Sequence, residues 1–480
     1  MSRKNKIQEP AQISYFFGES YLDLGRTIKE SWKKNANKIR DSWEEIGLDW
    51  GGENLYVAIC LFILRIATLI AVALFGSVFT AIFSTIHIVL LFGLMILVYI
   101  GFVTLKIFDT VFCLLKGLGN NCYNPGCERK FRLPIYVCPK CHAFHYKLVP
   151  SKYGILKRKC NCGEKLPTTF FNGRQKLDSL CPHCQSPVIK GAHRSLLIPV
   201  VGGANAGKTC YVTMAIKQIE INANNLGLNF EYQYVAGDEY KENSKRMESG
   251  LCPQKTNDLA FKYYNFFLSP KGDKTKNLIS VCDIAGEVFA NQEVMVRQQG
   301  YRYADGMIVI IDPLSISEFK NELKNKLSPK EFQALNISTQ LIGDVLSGLI
   351  NTMESLYRTD AKSTIKKTIV VVFTKCDIKV LDNLIGAKAI NEYLEQNKNA
   401  SFCDASNVLC ERFLSQYGEK SFLNAIKGKF SEVQFFTCSA LGHNDFGKKF
   451  NAVNVEQPLL WLIDKTSKAI DLSTIWGKKL

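Results

Sequence analysis

Residues 202–209 read Gly-Gly-Ala-Asn-Ala-Gly-Lys-Thr, the spacing G-x-x-x-x-G-K-[ST] of a loop that cradles phosphates. Each residue type there has a job. Gly202 and Gly207 let the backbone turn tightly, so that the N–H groups from Gly203 through Asn205 and Ala206 can face phosphate oxygens, with Ala204 inside the same turn. Lys208 supplies a point charge to the β- and γ-phosphates, and Thr209 supplies a hydroxyl to Mg²⁺. Three later segments carry matching chemistry. Asp283 opens D-x-x-G, where it would hold Mg²⁺ through water while the Gly286 N–H meets a γ-phosphate. Thr374-Lys375-Cys376-Asp377 places a carboxylate where it can accept from guanine N1–H and N2–H₂, a donor pair adenine lacks. Lys375 would lay its stem over the base. Ser439-Ala440 offers a backbone N–H to guanine O6.

These groups converge only if strands deliver them. Ser195–Val201 is a short apolar run of the kind expected of a buried parallel strand, and Tyr211–Glu220 reads as the following helix, whose N-terminal dipole favours an anion. Leu278–Ile284, Thr368–Phe373 and Phe435–Phe436 are further apolar strands, each ending at a motif. The expected fold is an α/β domain with a mostly parallel sheet flanked by helices. The segments Ile316–Tyr357 and Val380–Ile426 add helical decoration, and Pro458–Ile463 fits a last helix docking on the sheet.

Four such motifs in this order resemble the Ras-like and translation-factor-like P-loop GTPases over about residues 195–465. The departure is Thr374, where many members carry Asn to brace the phosphate loop. The resemblance implies GTP/GDP and Mg²⁺ as ligands, with a loop Thr sensing the γ-phosphate and a residue after D-x-x-G orienting water. Thr256 is the first choice for the sensor and a third group on Mg²⁺; Thr275 is the weaker choice. Glu287 stands where relatives carry Gln or His, so slow intrinsic hydrolysis is expected. Arg297 and Arg302 are the candidates for an arginine finger.

No Asp, Glu, Lys or Arg occurs from Ile66 to Leu105. A bilayer span needs roughly 20 apolar residues, so the stretch predicts a transmembrane helical hairpin, Leu55–Phe79 and Ile86–Leu105, turning near Phe83-Ser84-Thr85. Both flanks are basic, and the positive-inside rule would then put both termini and the nucleotide domain in the cytoplasm. The apolar segment is too long and too far from Met1 for a cleaved signal peptide. Ahead of it, Ile28, Trp32, Ile39, Trp43 and Ile46 form a helical stripe. It suits either the headgroup region or packing on the nucleotide domain.

Eight of 17 cysteines lie between residues 122 and 184. They form four close pairs: Cys122/Cys127, Cys138/Cys141, Cys160/Cys162 and Cys181/Cys184. Such knuckles point both sulfurs at one metal, so two structural Zn²⁺ sites are expected. The simplest pairing is sequential, Cys122, Cys127, Cys138 and Cys141, then Cys160, Cys162, Cys181 and Cys184; an interleaved pairing is the alternative. His142, His145 and His183 are possible substitutes. Disulfides suit a cytoplasmic location poorly.

The expected order is an amphipathic arm (1–53), the hairpin (54–117), a zinc-ribbon module (118–192) and the nucleotide domain (193–480). Residues 120–195 hold 14 Lys/Arg against 3 Asp/Glu, so anionic lipid is the simplest partner of the basic ribbon; nucleic acid is less favoured for want of a recognition helix, and the whole-chain charge of +16 suits either. The layout of ribbons followed by a GTPase with a Pro-Leu-Leu-Trp-Leu helix looks like the double-GTPase proteins of bacterial conflict systems. That resemblance implies a switch at the bacterial inner membrane, recruiting an effector or a partner GTPase, itself or another. A self-assembling membrane-remodelling GTPase and a nucleic-acid-binding scaffold are the alternatives.

Overall fold

The structure, a computed structural model, describes residues 9–47, 54–124, 127–191, 193–234, 239–253, 261–273, 275–284, 300–357, 363–442, 450–467 and 469–473. It divides into two compact units, residues 1–116 with 135–180, and residues 117–134 with 181–480.

The first unit is built on helices. Helix α1 (Glu19–Gly47), α2 (Leu55–Ala71) and α3 (Ser77–Leu115) follow in order, with a π-helical turn at Val72–Gly76 joining the last two. The apolar stretch is therefore one continuous helix of 61 residues, Leu55–Leu115, and the expected hairpin is not present. Ser84 and Thr85 do not turn the chain, because a helix can absorb a hydroxyl by back-bonding, as Thr85 does to the Ala81 carbonyl at 2.8 Å. Direction reverses instead between α1 and α2. Asn35 Nδ2 donates to Ser77 Oγ at 3.1 Å, Arg65 donates to the Glu45 carbonyl, and Phe17 meets the edge of Phe102. The amphipathic arm thus lies antiparallel along the apolar helix. Close approach is set by Gly76, where a Cβ would lie 2.5 Å from Asn35 Oδ1. At 1.5 Å per residue the apolar helix is about 90 Å long, about three times a hydrocarbon core. A single continuous helix does not return the chain to the side it left, so the basic flanks are not brought together as a hairpin would bring them.

At the end of α3, Asp109 is buried and pairs with Arg174 at 2.8 Å, and it also accepts the Phe170 N–H at 2.7 Å. Phe112 packs on Phe170 and Phe171. These contacts fasten residues 135–180, a set of two- and three-residue strands, to the helix.

The second unit carries a seven-stranded sheet: β1 (His193–Gly202), β2 (Leu228–Tyr232), β3 (Phe261–Pro270), β4 (Lys276–Ile284), β5 (Gly306–Ile311), β6 (Ile365–Phe373) and β7 (Phe430–Thr437). The order across the sheet is β7-β6-β5-β1-β4-β3-β2. Pairs from β7 to β4 are parallel, while β3 runs antiparallel to both β4 and β2, so the sheet is mixed and mostly parallel as expected. Helix α4 (Lys208–Asn222) follows β1. Beyond β5 come α5 (Ser317–Lys326), α6 (Pro329–Ala334) and α7 (Ile342–Tyr357), then α8 (Phe402–Gln416), and α9 (Glu456–Thr466) closes the domain. Alternation along β1 explains why its sequence is apolar throughout. Leu197 and Val201 enter the core on one face with α7 and α8, while Leu196, Ile198 and Val200 enter the other with α4 and α9.

His193 opens β1 and is 2% exposed. Burial pushes its imidazolium down to about 4, against a small opposing pull from the Gly191 backbone. The unfolded chain binds the proton at the ordinary value near 6.5 and the folded chain does not. Stability is therefore retained above that value and lost as pH falls from about 6.5 to about 4, by about 3 kcal/mol in all. Urea unfolding between pH 7 and pH 4 checks this: His193→Phe should flatten that part of the profile.

Candidate functional site

All the motif loops that the structure describes lie at the carboxyl edge of the sheet, beside the point where strand order reverses about β1. Open α/β sheets bind ligands at such points. The phosphate loop leaves β1 at Gly202, passes Gly203, Ala204, Asn205 and Ala206, and enters α4 at Lys208. Asn205 and Gly207 take left-handed conformations, with φ of 59° and 88°. Gly202 is required by crowding, since a Cβ would come within 2.6 Å of the Ile310 carbonyl oxygen. Lys208 Nζ donates to the carbonyls of Gly202 and Gly203 at 2.9 and 2.8 Å, which places its ammonium inside the loop.

Thr209 Oγ1 donates to Asp283 Oδ2 at 2.6 Å. The hydroxyl and carboxylate expected to share a Mg²⁺ are therefore neighbours, delivered by α4 and the end of β4. Asp283 is 1% exposed. Burial lifts its carboxyl above the ordinary range, opposed by the Lys208 ammonium and the Thr209 hydroxyl.

After β6, Thr374 Oγ1 donates to the Ala206 carbonyl at 2.8 Å. It braces the phosphate loop, the task Asn performs in the resembled families. Lys375 follows in a left-handed conformation, φ 60°. Asp377 Oδ1 accepts from Ser439 Oγ at 2.5 Å, and Ser439 also accepts the Gly442 N–H at 2.8 Å, so the turn bearing Ala440 is tied to the carboxylate. Thr256, Gly286, Glu287 and Arg297 lie outside the described residues. Thr275 precedes β4, whose Lys276 pairs with His193 at the start of β1, so it sits at the far edge from the phosphate loop. Arg302 precedes β5 at that same far edge.

Sequence reasoning missed Asp312 and the segment 335–341. Asp312 directly follows the apolar strand β5, much as Asp283 stands at the end of β4, a signal that could have flagged it. Its carboxylate accepts from Lys375 Nζ at 2.7 Å, from the Ser338 N–H at 2.8 Å and from the Leu314 N–H at 3.0 Å.

The cysteines form two clusters, Cys122, Cys127, Cys181, Cys184 and Cys138, Cys141, Cys160, Cys162, with each cluster's sulfurs within 4.8 Å of one another. The sequential pairing is thus corrected to a nested one: the first knuckle meets the fourth, and the second meets the third. Close S···S pairs measure 3.4, 3.8, 3.7 and 3.6 Å. Tetrahedral thiolates 2.3 Å from zinc would stand about 3.8 Å apart, so the donor sets fit Zn²⁺. None of the described cysteines is in a disulfide. His142, His145 and His183 belong to neither cluster. In every knuckle the residue after the second cysteine is left-handed: Glu128, His142, Gly163 and Gln185.

The phosphate loop, the Thr209–Asp283 pair and the strand order define a P-loop GTPase domain. Residues 196–416 match the family model described as Double-GTPase 2. No curated protein matches the chain. Among solved structures, Methanosarcina barkeri Roco2 RocCORdC bound to GDP is similar at 12% identity and TM-score 0.22, covering 57% of this chain and 50% of that one. The S. cerevisiae Ski7 GTPase-like domain bound to GTP is similar at 12% identity and TM-score 0.27, covering 58% and 51%. The chain spans about half the length of these solved chains.

Proposed function

We propose that this chain is a membrane-associated GTP-binding and GTP-hydrolysing switch. The observation that carries this is the convergence, at one sheet edge, of a phosphate loop, the Thr209–Asp283 hydroxyl–carboxylate pair and the Asp377 carboxylate braced by Ser439. Lys208 would exchange its carbonyl partners for β- and γ-phosphate oxygens. Thr209 and Asp283, with Thr256, would hold Mg²⁺. Glu287 would orient water slowly, and loop ordering by GTP would be released on hydrolysis. The two Cys₄ clusters would hold structural Zn²⁺. The exposed apolar helix supports lipid contact on the side away from α1, whose charged residues exclude hydrocarbon. A role beside an effector or partner GTPase, in a bacterial defence or signalling system at the inner membrane, rests on the resemblance of the layout of ribbons, GTPase and Pro-Leu-Leu-Trp-Leu helix to double-GTPase proteins of conflict systems.

The test uses the full chain in detergent with Mg²⁺ and a fluorescent GTP analogue. GTP and GDP should displace the probe, ATP should not, and Lys208→Ala should abolish most of the binding. Equal displacement by ATP would overturn the guanine reading.

A further inference from the structure

The loop between α6 and α7, residues 335–341, crosses the nucleotide site, and neither the motif pattern nor the proposed switch accounts for it. We propose that this loop is a strap that sets nucleotide retention, with Asp312 and Ser338 as positioning residues for Lys375 and the phosphate loop. The proposal rests on the guanine-nucleotide reading of the site and adds a control element to it.

Three observations carry it. First, the Asp312 side chain is fully buried and still ion-paired, with 0% of it exposed against 21% for Lys375. A buried carboxylate is tolerated only when donors surround it. Its donors come from three separate segments: the Lys375 loop, the turn after β5 and the strap. Second, the strap touches both halves of the site. Ser338 Oγ donates to the Ala204 carbonyl in the phosphate loop at 2.7 Å. The Asn336 carbonyl accepts from Lys375 Nζ at 2.7 Å. Third, Gly203 occupies a position that the loop pattern leaves open to any residue. Here a Cβ would lie 2.8 Å from Ser338 Oγ and 3.2 Å from Gln340 Cβ. A side chain at Gly203 would therefore push against the Ser338 and Gln340 side chains of the strap.

The geometry makes one carboxylate the hub between base loop, phosphate loop and strap. With Asp312 in place, the Lys375 ammonium is anchored away from the base and its stem is held extended toward the guanine face. With Ser338 in place, the Ala204 peptide is fixed and its neighbours keep their N–H groups aimed at phosphate. The strap continues directly into α7, whose buried face is part of the domain core. Displacing the strap frees both ends of the nucleotide at once.

The experiment is release of a fluorescent GDP from the full chain with Mg²⁺, in wild type, Ser338→Ala, Asp312→Asn, Lys375→Ala and the Asp312→Asn/Lys375→Ala double variant. Asn is close to Asp in shape but has one acceptor oxygen: with that oxygen on the Ser338 side, its N–H₂ faces the Leu314 N–H, and the charge that holds Lys375 is gone. Ser338→Ala and Asp312→Asn should each speed release about tenfold, the scale of one lost hydrogen bond at a constrained site. The double variant should release more slowly than the product of the two single effects requires, because part of the Asp312 effect runs through Lys375; a general loss of packing would make the effects multiply. Wild-type release rates in Ser338→Ala and Asp312→Asn, or multiplicative rates in the double variant, overturn the strap. Failure of wild type to bind any guanine nucleotide would instead overturn the reading on which it rests.

Discussion

Asp377→Asn is expected to move the nucleotide preference from guanine to xanthine, with GTP affinity falling at least about a hundredfold and XTP affinity rising. Donor matching sets the preference. Guanine presents N1–H and N2–H₂, both donors, and an ionised carboxylate accepts both. An amide keeps one acceptor and turns an N–H₂ toward the other donor, which leaves two donors facing each other. Xanthine has a carbonyl where guanine has the amino group, so the amide's N–H₂ gains a partner. Orientation is already provided for, because Ser439 Oγ holds Asp377 Oδ1 at 2.5 Å. Ser439→Ala should therefore show a weaker form of the defect, about tenfold on GTP with no gain for XTP. Competition between GTP, XTP and ATP for one fluorescent probe checks both variants. Unchanged GTP binding by Asp377→Asn would remove this residue from the base site.

Much of that site could be read from sequence because its chemistry is local. Each motif follows an apolar run, and a parallel strand buried on both faces delivers whatever follows it to the same sheet edge. The phosphate loop, Asp283 and Asp377 needed no knowledge of distant partners. Asp312 ends a strand just as visibly, but its role depends on Ser338, 26 residues further on, and no spacing rule joins the two. The same limit explains the cysteines. Each knuckle is recognisable by itself, and all four share one turn closed by a left-handed residue, so nothing local favours one partner over another. The path of residues 135–180, which leave the second unit and return to it, selects the nested pairing. The apolar helix shows a different limit. Absence of charge fixes how much chain can avoid water, but a turn needs a positive signal, and hydroxyls able to bond back to their own helix do not provide one.

The nested pairing gives the two cysteine clusters unequal duties. Cys122, Cys127, Cys181 and Cys184 belong to the same compact unit as the sheet, while Cys138, Cys141, Cys160 and Cys162 belong to the other. The chain around the outer cluster is stitched into the sheet. Glu128 accepts from Tyr263 Oη, Lys130 pairs with Asp305 at 3.1 Å, and the Gly119 N–H donates to the His193 carbonyl at 3.3 Å. Asp305 in turn accepts the Leu197 N–H of β1 at 3.0 Å. A ribbon this small has little core of its own, and structural zinc contributes on the order of 10 kcal/mol to such folds. Cys181→Ala should therefore release one zinc and loosen every one of these contacts, lowering the melting temperature of the nucleotide-binding domain by on the order of 10 °C. Cys160→Ala should also release one zinc, yet leave that transition and guanine-nucleotide affinity near wild type. Metal content by mass spectrometry, read beside melting of the GDP-bound protein, separates the two. Equal destabilisation by both variants would mean that the clusters act as one module, as the sequential pairing would have had it. Wild-type protein without zinc would remove the metal from the account.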